Sequence, residues 1–160
     1  MDPRTAGVLA LATVLAGCGG SHQPPRLSAP EYAAMLAAQD DYQRSTGTLA
    51  RAQEQCPTEG AAPTCGDYLA SAVRVDDGAM RRWTAAFAAT RLSARGDCRE
   101  ALGGMSMAVA AHSRAFTDYA LRVSDRKPVA AEYDELTAWR ERRLPAARQA
   151  FVRACAPAGR

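Results

Sequence analysis

The sequence predicts an all-α fold, specifically an up-down-up-down antiparallel four-helix bundle. Four long stretches are predicted to be helical, and the first three carry a seam at alternating steps of three and four, the period of a helix with one buried face, whereas the fourth is less regular. The connections between these stretches are short, and short connections favour consecutive helices that run antiparallel. A chain of 160 residues is sufficient for one domain with one core.

The first two helices are expected over residues 30–55 and 66–93. Ser28 and Glu31 have the spacing of a capping box, and Pro30 falls in the first turn, where its missing N–H is tolerated. The buried seam of the first helix comprises Tyr32, Met35, Gln39, Tyr42, Thr46, Leu49 and Gln53, and that of the second comprises Leu69, Val73, Asp76, Met80, Trp83, Phe87 and Thr90.

The third helix is expected to begin at Asp97, with Glu100 repeating the capping spacing, and the fourth is expected over residues 128–154. Pro145 lies inside the fourth helix and removes one backbone donor, which predicts a kink or a break near Glu141. The seam of the third helix comprises Leu102, Met105, Val109, His112, Phe116, Tyr119 and Val123. The bundle domain is expected over residues 28–155, followed by a tail over 156–160.

The beginning of the chain contains an apolar run that ends in a cysteine. Twelve uncharged residues, 6–17, are about the length of the apolar region of a signal peptide and too short for a membrane-spanning helix, which needs about 20 residues. The run ends in Leu15, Ala16, Gly17 and Cys18, which resemble the lipobox of bacterial lipoproteins.

This resemblance implies that residues 1–17 are a cleaved signal peptide and that Cys18 becomes the lipidated first residue of the mature protein. Two or three acyl chains, palmitate among them, would anchor it stably to the extracytoplasmic side of the cell membrane, or to the outer membrane of a host with two membranes. The alternative is an ordinary secretory signal with a chance cysteine. Residues 18–27 are rich in Gly, Ser and Pro and are expected to form a flexible linker.

The four remaining cysteines are expected to form two disulfides, because an exported chain meets an oxidising compartment. Of the three possible pairings, the antiparallel topology selects one. Cys56 and Cys65 share one end of the bundle, and Cys98 and Cys155 share the other. Each mixed pairing would span the length of the bundle, far beyond the Cα separation of about 7 Å that a disulfide allows. Metal ligation is the alternative, although the sequence has no CxxC motif.

The charge of the chain is nearly balanced, with 20 basic and 17 acidic residues. The bundle end nearest the anchor is expected to carry Arg91, Arg95, Arg99, Arg153 and Arg160 together with Asp97 and Glu100. These arginines either face anionic lipid head groups or are simply solvated. No recognised motif indicates nucleic-acid binding.

Motifs of enzymes and cofactor sites are absent from the sequence. It contains no HExxH, GxSxG, CxxCH or phosphate-binding loop, and neither histidine, His22 or His112, follows a glutamate at the spacing of ferritin-like di-iron sites. We therefore expect no catalytic residues and no cofactor.

One polar layer inside the bundle is a candidate site. Counting along the seams places His112 level with Tyr42, Met80, Trp139 and Arg140, with Asp76 and Gln39 about one turn away. Three interpretations remain open. The layer is a structural hydrogen-bonded group, or a small-ligand pocket walled by Trp83, Trp139 and Tyr42, or a soft-metal site for Cu(I) that uses His112 with Met80, Met105 or Met107.

The sequence thus predicts a lipid-anchored extracytoplasmic helical bundle that acts as a protein-interaction or structural module at the cell envelope. The alternative is a lipoprotein that binds a small ligand or copper through the layer around His112. A closed, hydrogen-bonded layer would favour the first function, and a cavity open to solvent would favour the second.

Overall fold

The computed structural model describes residues 26–56 and 65–157. In these two ranges the chain is all-helical, with four helices and no strand, which confirms the predicted fold class. The first three helices are α1 (Ala29–Gln55), α2 (Cys65–Thr90) and α3 (Gly96–Ser124). The fourth consists of α4 (Ala130–Ala138), a π-helical turn (Trp139–Arg143) and α5 (Leu144–Cys155).

Several sequence predictions concern residues outside the described ranges. These are the signal peptide over 1–17, the lipobox with Leu15, Ala16, Gly17 and Cys18, the histidine His22, most of the linker, and Arg160. Within the described ranges, no helix combines the length and the apolar character that crossing a membrane requires.

The N-terminus of α1 has the predicted capping box. The backbone N–H of Glu31 donates to Oγ of Ser28 over 3.4 Å, and the backbone N–H of Ser28 donates to Oε2 of Glu31 over 3.0 Å. The preceding Leu27 is only 3% exposed and packs in the core, and Nη1 of Arg26 donates to the carbonyl of Ala156 over 3.2 Å. The ordered domain therefore begins before Ser28, whereas the sequence suggests a linker that continues to residue 27.

The N-terminus of α3 differs from the expectation. The N-cap is Arg95, which makes no side-chain capping bond, so the predicted capping pair of Asp97 and Glu100 does not form. Asp97 instead lies in the first turn, where its negative charge interacts favourably with the positive end of the helix dipole. Gly96 has a φ of +48°, a conformation that favours glycine, and this backbone turn starts the helix one residue early.

The fourth helix passes Pro145 without a break. The backbone N–H of Leu144 bonds to the carbonyl of Trp139, five residues earlier, and this pattern defines the π-helical turn. Proline cannot donate a backbone bond, and in a regular α-helix its ring collides with the carbonyl four residues before it, here that of Glu141. A wider turn around Glu141 accommodates this conflict.

The buried side chains form two clusters. The first contains large residues such as Met35, Tyr42, Trp83, Met105 and Phe151. The second contains Leu49, Leu69, Phe116, Tyr119 and Leu136. Contacts between helices are most extensive where α1 packs on α2 and where α3 packs on α5.

Both predicted cysteine pairs are at disulfide-bonding distance. Cys56 is joined to Cys65 with a Cα–Cα distance of 5.5 Å, and Cys98 is joined to Cys155 with a Cα–Cα distance of 4.8 Å. All four cysteines are buried, with Cys98 and Cys155 in the first core cluster and Cys56 and Cys65 in the second. The first pair closes a sequence separation of 9 residues and the second one of 57.

Candidate functional site

The candidate polar layer is centred on Tyr42 of α1 and His112 of α3. The hydroxyl of Tyr42 lies 2.8 Å from Nδ1 of His112 and 3.1 Å from the carbonyl of Val109, and both side chains are at most 2% exposed. Because the carbonyl can only accept, both contacts are satisfied together when Tyr42 donates to Val109 and the Nδ1–H of His112 donates to the hydroxyl oxygen. This arrangement requires a proton on Nδ1 of His112, which is present in one neutral tautomer and in the charged imidazolium.

Burial keeps the imidazole neutral. It lowers the pKa of His112 from 6.5 to about 4, and the positive charge of Arg140 lowers that pKa further in the same direction. Burial also raises the pKa of the Tyr42 hydroxyl far above its usual range, with a further contribution from the Asp76 carboxyl. At neutral pH, both groups are therefore uncharged and act as hydrogen-bonding groups rather than as charges.

Asp76 of α2 is the second buried polar centre, and its partner is Ser113 of α3. The Ser113 hydroxyl donates to Oδ2 of Asp76, while Oδ1 has no hydrogen-bond partner among the described protein atoms. Burial raises the pKa of this carboxyl, the hydrogen bond from Ser113 opposes the shift, and the Asp77 charge raises the pKa further. Desolvation thus outweighs hydrogen bonding at this carboxyl.

Two more buried polar side chains are Gln39, about one turn before Tyr42 on α1, and Trp83 of α2. Both amide atoms of Gln39 and Nε1 of Trp83 are enclosed without a hydrogen-bond partner among the described protein atoms. Trp83 packs in the same apolar cluster as Tyr42, Met35 and Met105. Isolated buried amide and indole groups destabilise a fold, so these atoms are chemically costly in this position.

The residues that the fourth helix was expected to contribute do not all enter the layer. Nη1 of Arg140 donates to Oε1 of Gln53 over 3.2 Å, and its charge still influences His112. The indole Nε1 of Trp139 donates to Oε1 of Glu135 over 2.9 Å, and the guanidinium of Arg143 lies 4.6 Å from the centre of the Trp139 ring. The polar edge of Trp139 therefore faces the surface, although its ring is partly buried against the core.

Two of the three methionine candidates, Met105 and Met107, are separated from His112. Met105 is a core residue, Met80 packs against the same cluster, and Met107 is 71% exposed. Met105 and His112 are seven residues apart, about 10 Å along the axis of α3. Within residues 26–56 and 65–157, no group of three or more His, Cys, Asp or Glu side chains is arranged to hold a metal ion.

An open groove of about 730 Å³ lies between α3 and the fourth helix. Its lining includes two large apolar side chains, Leu121, which is 60% exposed, and Trp139. Both signs of charge line it, with Arg114, Asp118, Arg122, Asp125, Lys127, Glu132 and Glu135. An ion pair of 2.7 Å between Arg122 and Glu132 bridges α3 and α4.

Sequence reasoning missed Ser113, and it assigned no role to Gln53. Ala94 lies in the turn between α2 and α3, with Asp76 eighteen residues before it and Ser113 nineteen residues after it. In two antiparallel helices, these equal separations would have placed Asp76 and Ser113 at the same distance from the turn. Gln53 has both amide groups bonded, because its Nε2 donates to the carbonyl of Tyr133 over 3.1 Å and its Oε1 accepts from Arg140. Its long-range partners are on the fourth helix, so no local pattern indicates them.

Comparisons with known proteins give no relative. No protein-family model matches the chain, and no curated protein or solved structure matches it significantly. The class that the structure itself defines is an all-helical domain with two cysteine pairs at bonding distance.

Proposed function

We propose that the chain is a lipid-anchored, extracytoplasmic helical domain that acts as a protein-interaction or structural module at the cell envelope. The observation that carries the location is the pair of buried cystine bridges, Cys56–Cys65 and Cys98–Cys155. Structural disulfides form and persist in oxidising compartments and are rare in the cytosol. The lipobox-like residues that end in Cys18 supply the reason for a lipid anchor.

The proposed organisation is a signal peptide over 1–17, a lipidated linker, and one bundle domain whose helices run up-down-up-down. Three contacts support this topology, in which α2 and the fourth helix both run antiparallel to α1. Cys56 is bonded to Cys65, Arg82 of α2 is paired with Asp41 of α1, and Arg148 of α5 is paired with Asp40 of α1.

The interaction role is supported by the state of the His112 layer and by the groove. The layer is closed, since Tyr42, Asp76 and His112 are at most 2% exposed and bonded to neighbouring helices. The groove between α3 and the fourth helix, by contrast, leaves Leu121 accessible beside a mixed set of charges. An accessible apolar residue rimmed by charged side chains is a feature of protein-binding surfaces.

The location is tested by the intact mass of the protein from its native membrane, before and after reduction with alkylation. The expected mass corresponds to cleavage before Cys18 plus acyl chains, with four cysteines alkylated only after reduction. Free thiols or an unprocessed, unlipidated chain would contradict the proposal. The bridge pattern can be read in the same sample by proteolysis without reduction.

The interaction role is tested by photo-cross-linking in intact cells. A photoreactive residue at Leu121 is expected to give a discrete cross-linked protein, and the same residue at Met107 serves as the matched control. Both positions lie on α3 and are well exposed, but Met107 lies outside the groove. Equal cross-linking at both positions would contradict a specific role of the groove.

A ligand-binding role of the His112 layer is a second candidate function. The orphan polar atoms of Gln39, Asp76 and Trp83 favour it, since a small polar ligand would supply their missing partners. The copper form of this function is tested by titration with Cu(I) against a chromogenic chelator. A stoichiometric site that is lost in His112→Gln would support this function, and failure to compete with the chelator would reject the copper form of it.

A further inference from the structure

The end of the domain where the chain enters brings three segments together. The Arg26 guanidinium donates to the carbonyl of Ala156, which places the entry of α1 beside the exit of α5. Leu27, just before α1, and Ala94, in the turn after α2, are buried in the same core cluster, which places that turn beside the start of α1. We call this the entry end and define it as residues 26–31, 91–100 and 153–157.

The tip of the entry end is a fixed turn that displays a leucine. Leu92 is the second residue after α2 and is 69% exposed. Its turn is held by two arginines, because Nη1 of Arg95 donates to the carbonyls of Leu92 and Ala94, and Nε of Arg99 donates to the carbonyl of Ala94 over 3.1 Å. Ala94, whose carbonyl accepts from both arginines, is fully buried. The turn is therefore anchored in the core while Leu92 points to solvent.

The surface around Leu92 is basic. Five exposed arginines belong to the entry end, namely Arg26, Arg91, Arg95, Arg99 and Arg153, whereas its acidic residues are Glu31, Asp97 and Glu100. None of the five arginines has a carboxylate within ion-pair distance in the part of the chain that the structure describes. At the other end of α3, in contrast, Arg122 is paired with Glu132 and Lys127 with Asp125.

We propose that the entry end lies on an anionic lipid surface, with Leu92 inserted between head groups and the arginines on their phosphates. The inference rests on the proposed lipid anchor at Cys18. Arg26 is the eighth residue after Cys18, so the chain allows a distance of at most about 30 Å between them. An exposed apolar side chain among arginines suits an interface that is apolar below and negatively charged above.

The basic surface alone would suit either lipid or a soluble acidic partner. The proposed anchor at Cys18 favours lipid, because it holds this end of the domain near the membrane. Arginine guanidinium groups bind phosphate oxygens with two parallel hydrogen bonds. The short linker holds the whole entry end within reach of such phosphates, and the exposed leucine gains from transfer out of water. An acidic protein at the same surface is the competing occupant, and the experiment separates the two.

The experiment uses the processed lipoprotein in vesicles whose lipids carry brominated acyl chains. Leu92→Trp is compared with Leu121→Trp, which is also well exposed but lies about 37 Å from the start of α3. The fluorescence of Trp83 and Trp139 is subtracted with the unmodified protein. The vesicles contain phosphatidylcholine alone or phosphatidylcholine mixed with phosphatidylglycerol.

The expected result is strong quenching of Leu92→Trp in the anionic vesicles, weaker quenching in phosphatidylcholine, and reversal by salt, with no added quenching of Leu121→Trp. Adding Arg91→Gln or Arg153→Gln to Leu92→Trp should shift the equilibrium away from the docked state by about fivefold each at low salt. These two arginines are chosen because they make no bond that holds the turn.

Two outcomes would overturn the docking and leave the anchor intact. One is vesicle-bound protein with Leu92→Trp unquenched in both lipids, as expected if a protein covers this end in cells. The other is quenching that is independent of lipid charge and salt. Intact mass shows separately whether the anchor is absent. If an unlipidated full chain still floated with anionic vesicles, and if this flotation depended on Leu92, the result would support the docking without the anchor.

Discussion

Gln39 and Gln53 lie on the same face of α1, fourteen residues apart, and both bury their amide groups, yet only the amide of Gln53 has partners. Gln53 bonds to the carbonyl of Tyr133 and to the guanidinium of Arg140. Neither amide atom of Gln39 has a hydrogen-bond partner among the described protein atoms. The same residue type therefore joins helices at one height of the domain and is an isolated polar group at another.

This difference predicts opposite effects of one substitution at the two positions. Gln39→Leu is expected to raise the free energy of unfolding by about 1–2 kcal/mol, because it removes a buried amide that makes no bond. Gln53→Leu is expected to lower it by about 2 kcal/mol, because it leaves a carbonyl and a partly buried guanidinium without their partner. Urea denaturation of the two variants measures both effects.

Each of these variants is the control for the other, since both replace glutamine by leucine on one helix face. Destabilisation by Gln39→Leu would contradict the prediction and would show that its amide is bonded to a buried water.

The acid sensitivity of the fold is expected to come in part from His112. Its pKa is about 4 in the folded protein against 6.5 without the fold, so in this window the unfolded chain binds a proton that the folded chain does not. The free energy of unfolding should therefore fall as the pH drops from 6.5 to about 4, by about 3 kcal/mol in total. Denaturation at several pH values should show a flatter profile for His112→Gln, which keeps a donor for Tyr42.

The matched variant for this test is Asp76→Asn, because its effect has the opposite sign. Burial raises the pKa of Asp76, so the stability linked to its proton is present at low pH and lost as the pH rises through the folded value. Asp76→Asn should be more stable than the unmodified protein at pH 7 and should lose stability more steeply on acidification. An unchanged acid limb in His112→Gln would show that another group titrates there.

The sequence predicts the helices and the cysteine pairs well because both follow from long, regular patterns. The seam places Tyr42 and His112 on buried faces, and the structure brings their polar atoms together. The choice of Ser113 as the partner of Asp76 depends instead on the height and rotation of two helices, which periodicity does not determine.

The fourth helix shows the limit most clearly. Proline predicts a local disturbance near Glu141, but whether the helix breaks or forms a π-helical turn depends on its packing against α3. The direction of Trp139 was not predictable either, since Glu135 and Arg143 of the same helix compete with the core for its indole ring.

The C-terminus of α3 offers a stabilising substitution. Arg126 has a φ of +55°, and the backbone N–H groups of Arg126 and Lys127 bond to the carbonyls of Val123 and Arg122. This is the Schellman arrangement, in which glycine is preferred at the residue with positive φ. Arg126→Gly is expected to stabilise the domain by about 0.5–1 kcal/mol, which thermal denaturation would detect as a rise in Tm of about 2–5 °C.

Arg126→Ala is the control for this prediction. It removes the guanidinium but keeps the unfavourable backbone conformation, so no comparable gain is expected. Equal stabilisation by glycine and alanine would assign the effect to the loss of charge and would contradict the backbone explanation.

The two cystine bridges should contribute unequally to stability. The Cys98–Cys155 bridge closes 57 residues and the Cys56–Cys65 bridge closes 9, so the first restricts the unfolded chain more. In the chain-entropy model, replacing both cysteines by alanine should cost about 4 kcal/mol for the long loop and about 2.5 kcal/mol for the short one. All four cysteines are buried, so the packing loss is similar in both double variants and the difference isolates loop closure. Urea denaturation under non-reducing conditions measures this difference. Equal losses of stability would show that contacts of the sulfur atoms in the folded state, rather than loop closure, set the contribution of each bridge.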